Sequence, residues 1–166
     1  FVPATYIPAI DGGTLAFTSA VPRPVRNADV QIRQCEAILA TTTTDDLGAY
    51  SVAFTPGAAG QLYVVALAKT ATPPIQVVDN TAADAIWAVG KPIESASPTL
   101  DVLATHGWTG IGYAPDLRIA APFAILDSMY TASRRLIDVK GAVPFPPLEV
   151  NCSPPNYSRA FHAPSS

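Results

Sequence analysis

The sequence predicts a mainly β protein, a β-sandwich with one α-helix and extended, proline-rich arms at both ends. Proline makes up 17 of the 166 residues, about twice its usual share of roughly 5%. It disfavours helices because it lacks an amide donor and fixes φ. In addition, several short runs have the composition of strands, and these runs are separated by turns rich in proline and glycine. Such spacing is typical of sandwiches and barrels.

The first 21 residues are expected to form an extended arm with an edge strand. Residues 1–10 are apolar and are interrupted by Pro3 and Pro8. Because proline removes a ladder donor, this segment pairs along one edge at most. The contacts of the arm would be made by its large apolar side chains: Phe1, Val2, Tyr6, Ile7 and Ile10.

Residues 22–104 are predicted to form the sandwich. Apolar and polar residues alternate through 27–34, as in a strand with one wet face. Threonine-rich residues 37–44 and residues 49–54 predict a hairpin across the turn Asp45-Asp46-Leu47-Gly48. Residues 61–69 are apolar enough for a central strand. Shorter strands are predicted at 75–78, 85–89 and 99–103.

Residues 105–166 are predicted to form a loop, one helix and an extended tail packed on the sandwich. The helix covers about 122–139, because Pro122 suits a first helical turn and apolar residues follow at spacings of three and four. Arg134 and Arg135 lie near its C-terminal end, where cations suit the helix dipole, and Gly141 is suited to end it. The aromatic residues of this helix are expected to pack on the sandwich.

Charge and hydropathy exclude several classes of protein. The net charge is −3 and only 14% of residues are charged, so no basic surface for nucleic acid is predicted. No apolar run approaches the roughly 20 residues that span a bilayer. The chain begins at Phe1 without a basic and then apolar leader. We therefore expect a secreted, extracellular or cell-surface protein from which the signal peptide has been removed.

No catalytic or metal-binding pattern stands out. The two histidines, His106 and His162, have no metal-ligand partner three or four residues away. A zinc site from these histidines and both cysteines would lack the usual short spacing. We expect no cofactor and no catalytic residue, and a local loop hydrogen bond for His106. A bridge between Cys35 and Cys152 would add about 4–5 kcal/mol of stability in the chain-entropy model. Two small buried thiols are the open alternative.

Three weaker signals have simple explanations. Asp45 and Asp46 lack the further ligands of a calcium loop, so a turn is expected. Asn151 and Asn156 each begin a glycosylation sequon. Two matches to so short a motif are expected by chance in a serine-rich tail. A third hypothesis is carbohydrate binding by the aromatic residues Trp87, Trp108 and Tyr113. It rests on residue type alone, and such residues are usually core or loop anchors.

Two runs, RPVRNADVQI at 23–32 and ATTTTDDLGAYSV at 40–52, carry a family resemblance. They resemble the carboxypeptidase regulatory-like, or transthyretin/prealbumin-like, β-sandwich family. That family pairs a strand of the form Pro-(Leu/Val)-x-(Gly/Asn)-Ala-x-Val with a hairpin of the form Thr-Thr-Asp-x-x-Gly-x-Tyr-Ser. Asn27 replaces the usual glycine, and Leu47 lies inside the turn. The resemblance covers about the first seventy residues and implies a transthyretin-like sandwich.

A second resemblance is carried by four later segments, residues 77–81, 107–110, 120–130 and 145–148. They are similar to the N-terminal region of secreted bacterial proteins whose downstream part carries a His-Glu-x-x-His zinc-peptidase motif. That motif is absent from these 166 residues, so the resemblance transfers no catalytic residue. It implies a processed fragment, or a lineage that kept the non-catalytic half for another use.

Two functions follow as expectations. The first is a non-catalytic structural module that self-associates by strand or arm exchange, as in an extracellular filament, because an apolar arm can add a strand to a neighbouring sheet. Folding of both arms onto their own domain is the alternative. The second function is the accessory region of a secreted zinc-metallopeptidase-like protein, which predicts a longer gene.

Overall fold

A computed structural model describes residues 5–7, 14–16, 20–94, 99–112, 114 and 118–153 of this chain. Its described part is mainly β, with two main sheets and one helix, which confirms the predicted β-sandwich with a single helix. The elements, in chain order, are β1 Thr5–Ile7, β2 Thr14–Ala16, β3 Asp29–Gln34, β4 Ala37–Thr43, β5 Leu62–Leu67, β6 Lys69–Thr70, β7 Ile75–Asp79, β8 Ala85–Ile86, β9 Ala88–Ile93, α1 Ala120–Lys140 and β10 Leu148–Asn151.

The first sheet is antiparallel, with the strand order β4-β3-β5-β9. In β3, buried Val30, Ile32 and Gln34 alternate with more exposed residues, so the predicted strand with one wet face is confirmed. Val30 lies opposite Ala66 of β5. A register shift between Ile32 and Arg33 leaves one residue of β4 without an opposite partner, as in a β-bulge.

The second sheet has the order β10-β7-β6, and β8 also pairs with β7. Ala68 joins β5 to β6, Trp87 joins β8 to β9, and the amide of Ala68 donates to the carbonyl of Trp87 at 2.7 Å. The chain therefore passes from one sheet to the other at both residues. The segment after the helix was expected to be extended, and it adds β10 parallel to β7.

Helix α1 packs on β7 through a buried face that includes Phe123, Leu126 and Tyr130. It begins two residues before the predicted start, and Gly141 ends it at φ 76°. Arg26 holds the outer side of the helix, since its Nε donates to Asp127 Oδ1 at 2.8 Å. Among the residues described, no helix has the length and apolarity needed to cross a membrane.

The buried core has two parts that meet at Ala66. One lies between the second sheet and α1, where Val77 and Phe123 are fully buried. The other covers one face of the first sheet around Val30, Ile32 and Val64, and segments 50–54 and 100–102 pack on it. Helix α1 therefore packs on the second sheet, and segments 50–54 and 100–102 pack on the first.

The predicted hairpin is wrong in its pairing. Residues 37–44 were expected to pair with 49–54, but β4 pairs with β3 across a turn at Cys35 and Glu36. Neither 49–54 nor 99–103 forms a strand. Their alternating side chains pack on the face of the first sheet without joining its ladders. Ladder pairing also depends on a neighbouring backbone, which alternation alone does not reveal.

Candidate functional site

The two edges of the first sheet differ in their protection against strand addition. On β9, Gly90, Lys91 and Pro92 lie in succession along the edge. Proline and lysine are common devices against pairing with another chain. On the opposite edge, β4 contains neither a charge nor a proline, and Ile38 is 52% exposed. Within the described ranges, β3 is the only strand paired with β4.

The part of β4 beyond the bulge is regular. Residues 40–43 pair in unbroken register with β3, from Ala40 opposite Ile32 to Thr43 opposite Asp29. The side chains of Thr41 and Thr43 are exposed. This four-residue stretch is the most suitable place on the described edge for another strand to pair.

The structure places part of the predicted N-terminal arm in a short ribbon. β1 pairs antiparallel with β2, with Tyr6 opposite Leu15 and Ile7 opposite Thr14. Three other arm residues, Phe1, Val2 and Ile10, lie outside the described residues. A two-stranded ribbon is marginally stable by itself in water, so a further surface or strand would stabilise it.

A cleft of about 600 Å³ opens on the face of the first sheet. Ile32, Val64 and Ile93 lie at its base, and residues 48–52 with Phe54 line one wall. Residues 99–101 line the other wall. The walls are joined by the hydroxyl of Tyr50, which donates to the carbonyl of Leu100 at 2.6 Å.

Both walls of the cleft have the burial pattern of strands. Tyr50, Val52 and Phe54 are half-buried, and the residues between them are exposed. In the other wall, Leu100 and Val102 alternate in the same way with exposed neighbours. No backbone ladder among the described residues includes either wall. The walls are therefore held by their side chains rather than by strand pairing.

The rim of the cleft is acidic. Glu94 and Asp101 both line it, and both are exposed. Burial raises the pKa of the Tyr50 phenol, and the negative charge of Asp101 raises it further. Lys91 Nζ donates to the backbone carbonyl of Asp101 at 3.1 Å, which leaves the carboxylate outside that contact. The arrangement suits an apolar group flanked by positive charge.

Cys35 and Cys152, for which the sequence left a bridge or two thiols open, are free thiols here, the first exposed and the second half-buried. Cys35 directly follows Gln34, and Gln34 lies opposite Leu62 at one end of β5. The carbonyl of Cys152 accepts a hydrogen bond from Trp87 Nε1. Trp87 directly precedes Ala88, and Ala88 lies opposite Leu67 at the other end of β5. The two cysteines therefore lie near opposite ends of β5, separated by about 17 Å at roughly 3.3 Å per residue. A disulfide requires Cα atoms within about 7 Å.

The histidines form no metal site in the described part of the chain. His106 Nδ1 accepts from the amide of Trp108 at 3.0 Å, so the predicted local loop hydrogen bond is confirmed. His162 lies outside the described residues. Among those described, no group of three His, Cys, Asp or Glu residues is arranged to hold a metal ion.

Asp45 forms the predicted turn. Its Oδ1 accepts from the amides of Leu47 at 2.8 Å and Ala49 at 2.9 Å, and Gly48 has φ 76°. The carboxylate therefore fixes the loop through its own backbone. This turn leads directly into the first wall of the cleft.

The remaining candidates have structural contacts. Trp87 is half-buried and donates from Nε1 to the carbonyl of Cys152 at 2.6 Å, as an anchor between the sheets. Trp108 is half-buried, and Tyr113 lies outside the described residues. Asn151 is exposed, but the hydroxyl of Ser153 in its sequon is buried and donates to Asn80. Asn156 lies outside the described residues.

Sequence reasoning did not find the acidic cleft or the open β4 edge. Glu94 and Asp101 come together only when β9 and segment 99–101 meet on one face. The absence of charge and proline in 37–43 was a readable signal for an open edge, but its interpretation required the strand order. No family model, curated protein or solved structure matches this chain.

Proposed function

We propose that this protein is a non-enzymatic, secreted structural module that self-associates by strand addition. The open edge of β4 carries the proposal, since this edge lacks charge and proline whereas β9 has both. The added strand is β1 from the N-terminal arm of a second copy. The proposed fold family is the transthyretin-like sandwich, supported by the two sequence runs at 23–32 and 40–52.

The donor strand β1 has three residues and is close in length to the four-residue acceptor. Pro3 and Pro8 limit regular pairing in the arm to 4–7, and the regular part of β4 covers 40–43. Backbone hydrogen bonds to β4 would supply affinity, and alternate side chains of the arm would fix the register. The other edge of the added strand stays paired with β2, as in the single chain.

The contact joins two different surfaces, the arm of one copy and the β4 edge of the next. A contact of this heterologous kind propagates unless its rotation closes a ring. The proposed assembly is therefore an open extracellular filament.

The test measures the mass of the full-length protein by light scattering and its shape by electron microscopy. We expect concentration-dependent assembly for the natural sequence, and its loss in Thr41→Lys and after deletion of residues 1–10. Ala88→Lys places the same charge at an exposed position on the β9 edge and is expected to assemble normally. A natural sequence that stays monomeric at high concentration contradicts the proposal, as does a Thr41→Lys variant that assembles fully.

A further inference from the structure

The last two turns of α1 extend beyond the part of the helix that packs on the core. Buried positions on the helix end at Ser133. Beyond that residue, Leu136 is 53% exposed and Val139 is 84% exposed. Two large apolar side chains thus face solvent at the end of a helix whose other half is well packed.

Two cations flank these apolar side chains on the same side of the helix. Arg135 lies four residues before Val139, and Lys140 lies four residues after Leu136. Residues three and four apart share one helix face. Arg135, Leu136, Val139 and Lys140 therefore form one surface, called here the helix tip. Arg134 is also exposed, but it lies about 140° around the helix from Val139 and so falls outside this surface. Asp138 is exposed and lies three residues after Arg135, so one carboxylate borders the tip beside its two cations.

The cleft on the first sheet has complementary chemistry. Its open lining is partly apolar, through half-buried Tyr50, Val52 and Leu100, which lie over the nearly fully buried Ile32 and Val64. Its exposed rim carries the carboxylates of Glu94 and Asp101 beside the ammonium group of Lys91. Oppositely charged surfaces steer partners together and fix their register. An apolar pair flanked by two cations fits this surface better than it fits the uncharged β4 edge.

We propose that the helix tip of one copy binds in the acidic cleft of a second copy. Leu136 and Val139 enter the cleft, while Arg135 and Lys140 meet the carboxylates of Asp101 and Glu94. An amphipathic helix in an apolar groove is a recurring mode of protein recognition. The partner is a second copy of this chain because one chain presents both surfaces with matched charge.

The geometry of a single chain keeps its own tip away from its own cleft. Phe123 lines a cavity of about 370 Å³ that shares Tyr50, Leu100 and Asp101 with the cleft, so the start of α1 is near this region. Lys140 lies 17 residues further along the helix, which is about 25 Å at roughly 1.5 Å per residue. The contact is therefore intermolecular, and it adds a second interface that does not use β4.

Charge reversal tests this interface in the full-length protein. The dissociation constant is measured by analytical ultracentrifugation at low salt. We expect Arg135→Glu and Asp101→Lys each to weaken association by about five- to tenfold, in the range of partly exposed interfacial ion pairs. Arg134→Glu is the matched control and is expected to change it by less than about twofold. Combining Arg135→Glu with Asp101→Lys is expected to restore most of the affinity.

Two results would overturn the inference. One is an Arg135→Glu variant that associates like Arg134→Glu, and the other is a double variant as weak as the two single effects combined. Thr41→Lys separates this interface from the proposed strand addition. If Thr41→Lys abolishes assembly and the charge reversals do nothing, the tip contact is wrong and strand addition stands. If only the reversals act, the opposite holds, and a protein that never associates contradicts both.

Discussion

Replacement of Thr44 by valine tests how the first sheet is held at the end of β4. Thr44 is 8% exposed. Its hydroxyl accepts from the amide of Ala28 at 2.9 Å and donates to the carbonyl of Val25 at 2.6 Å. The backbone of Thr44 separately pairs with Asn27 and Ala28 at 3.1 and 3.0 Å. One hydroxyl thus joins the segment before β3 to the end of β4.

The magnitude follows from what valine leaves unpaired. Ala28 is fully buried, so its amide loses its partner without access to water, at a cost of about 1–3 kcal/mol. The carbonyl of Val25 also loses its hydroxyl donor. The added methyl group returns roughly 0.8 kcal/mol of burial. The expected net loss is about 2 kcal/mol, or roughly 4–8 °C in Tm for a chain of this size.

The assay is urea and thermal unfolding followed by far-ultraviolet circular dichroism. Thr43→Val is the matched control, because Thr43 is the exposed last residue of β4, directly before Thr44, and surface substitutions usually change stability by less than about 0.5 kcal/mol. If Thr44→Val is as stable as Thr43→Val, the hydroxyl does not hold these segments together and the reasoning is refuted.

Two further predictions concern titratable groups. Burial raises the pKa of the Cys152 thiol, whereas Cys35 is exposed. Iodoacetamide at pH 8 should therefore modify Cys35 before Cys152, as followed by peptide mass analysis. Equal rates of modification would contradict the described burial. Burial also raises the pKa of Asp29, and the nearby charge of Lys69 opposes this shift. Ionisation of Asp29 therefore destabilises the fold. The loss of stability develops as the pH rises from the pKa of the unfolded state, about 3.9, through the higher pKa of the folded state. Asp29→Asn should therefore increase stability at pH 7 and lose this advantage below about pH 3, whereas a variant less stable at pH 7 would show that the contact with Lys69 dominates.

Local patterns predicted several elements correctly because the responsible interactions are themselves local. Alternation gave β3 and its inward face, and spacing with Pro122 and Gly141 gave α1. The turn at Asp45 followed from a side chain that bonds to amides only two and four residues away. In each case, the controlling contact lies within one element or one turn.

The candidate surfaces were not predictable in this way. β4 has an open edge because it is the first strand of the order β4-β3-β5-β9. β3 pairs with it on one side, and no described strand pairs with it on the other. The acidic cleft exists because two unpaired segments, distant in sequence, cover the same face of that sheet. The choice between a disulfide and two thiols was left open for a related reason, since loop length sets the entropic effect of a disulfide but not the distance between its ends.

The sequence alone determined a mainly β chain with one helix, since proline content, alternation and helical spacing act over a few residues. Only the tertiary structure decided which strands pair, which edge is left open and which charges share a cleft. Those outcomes depend on packing between segments far apart in the chain, where each backbone group takes whichever partner the other elements bring to it. Segments 49–54 and 99–103 show this division, because their strand-like sequences were readable but their lack of strand partners was not.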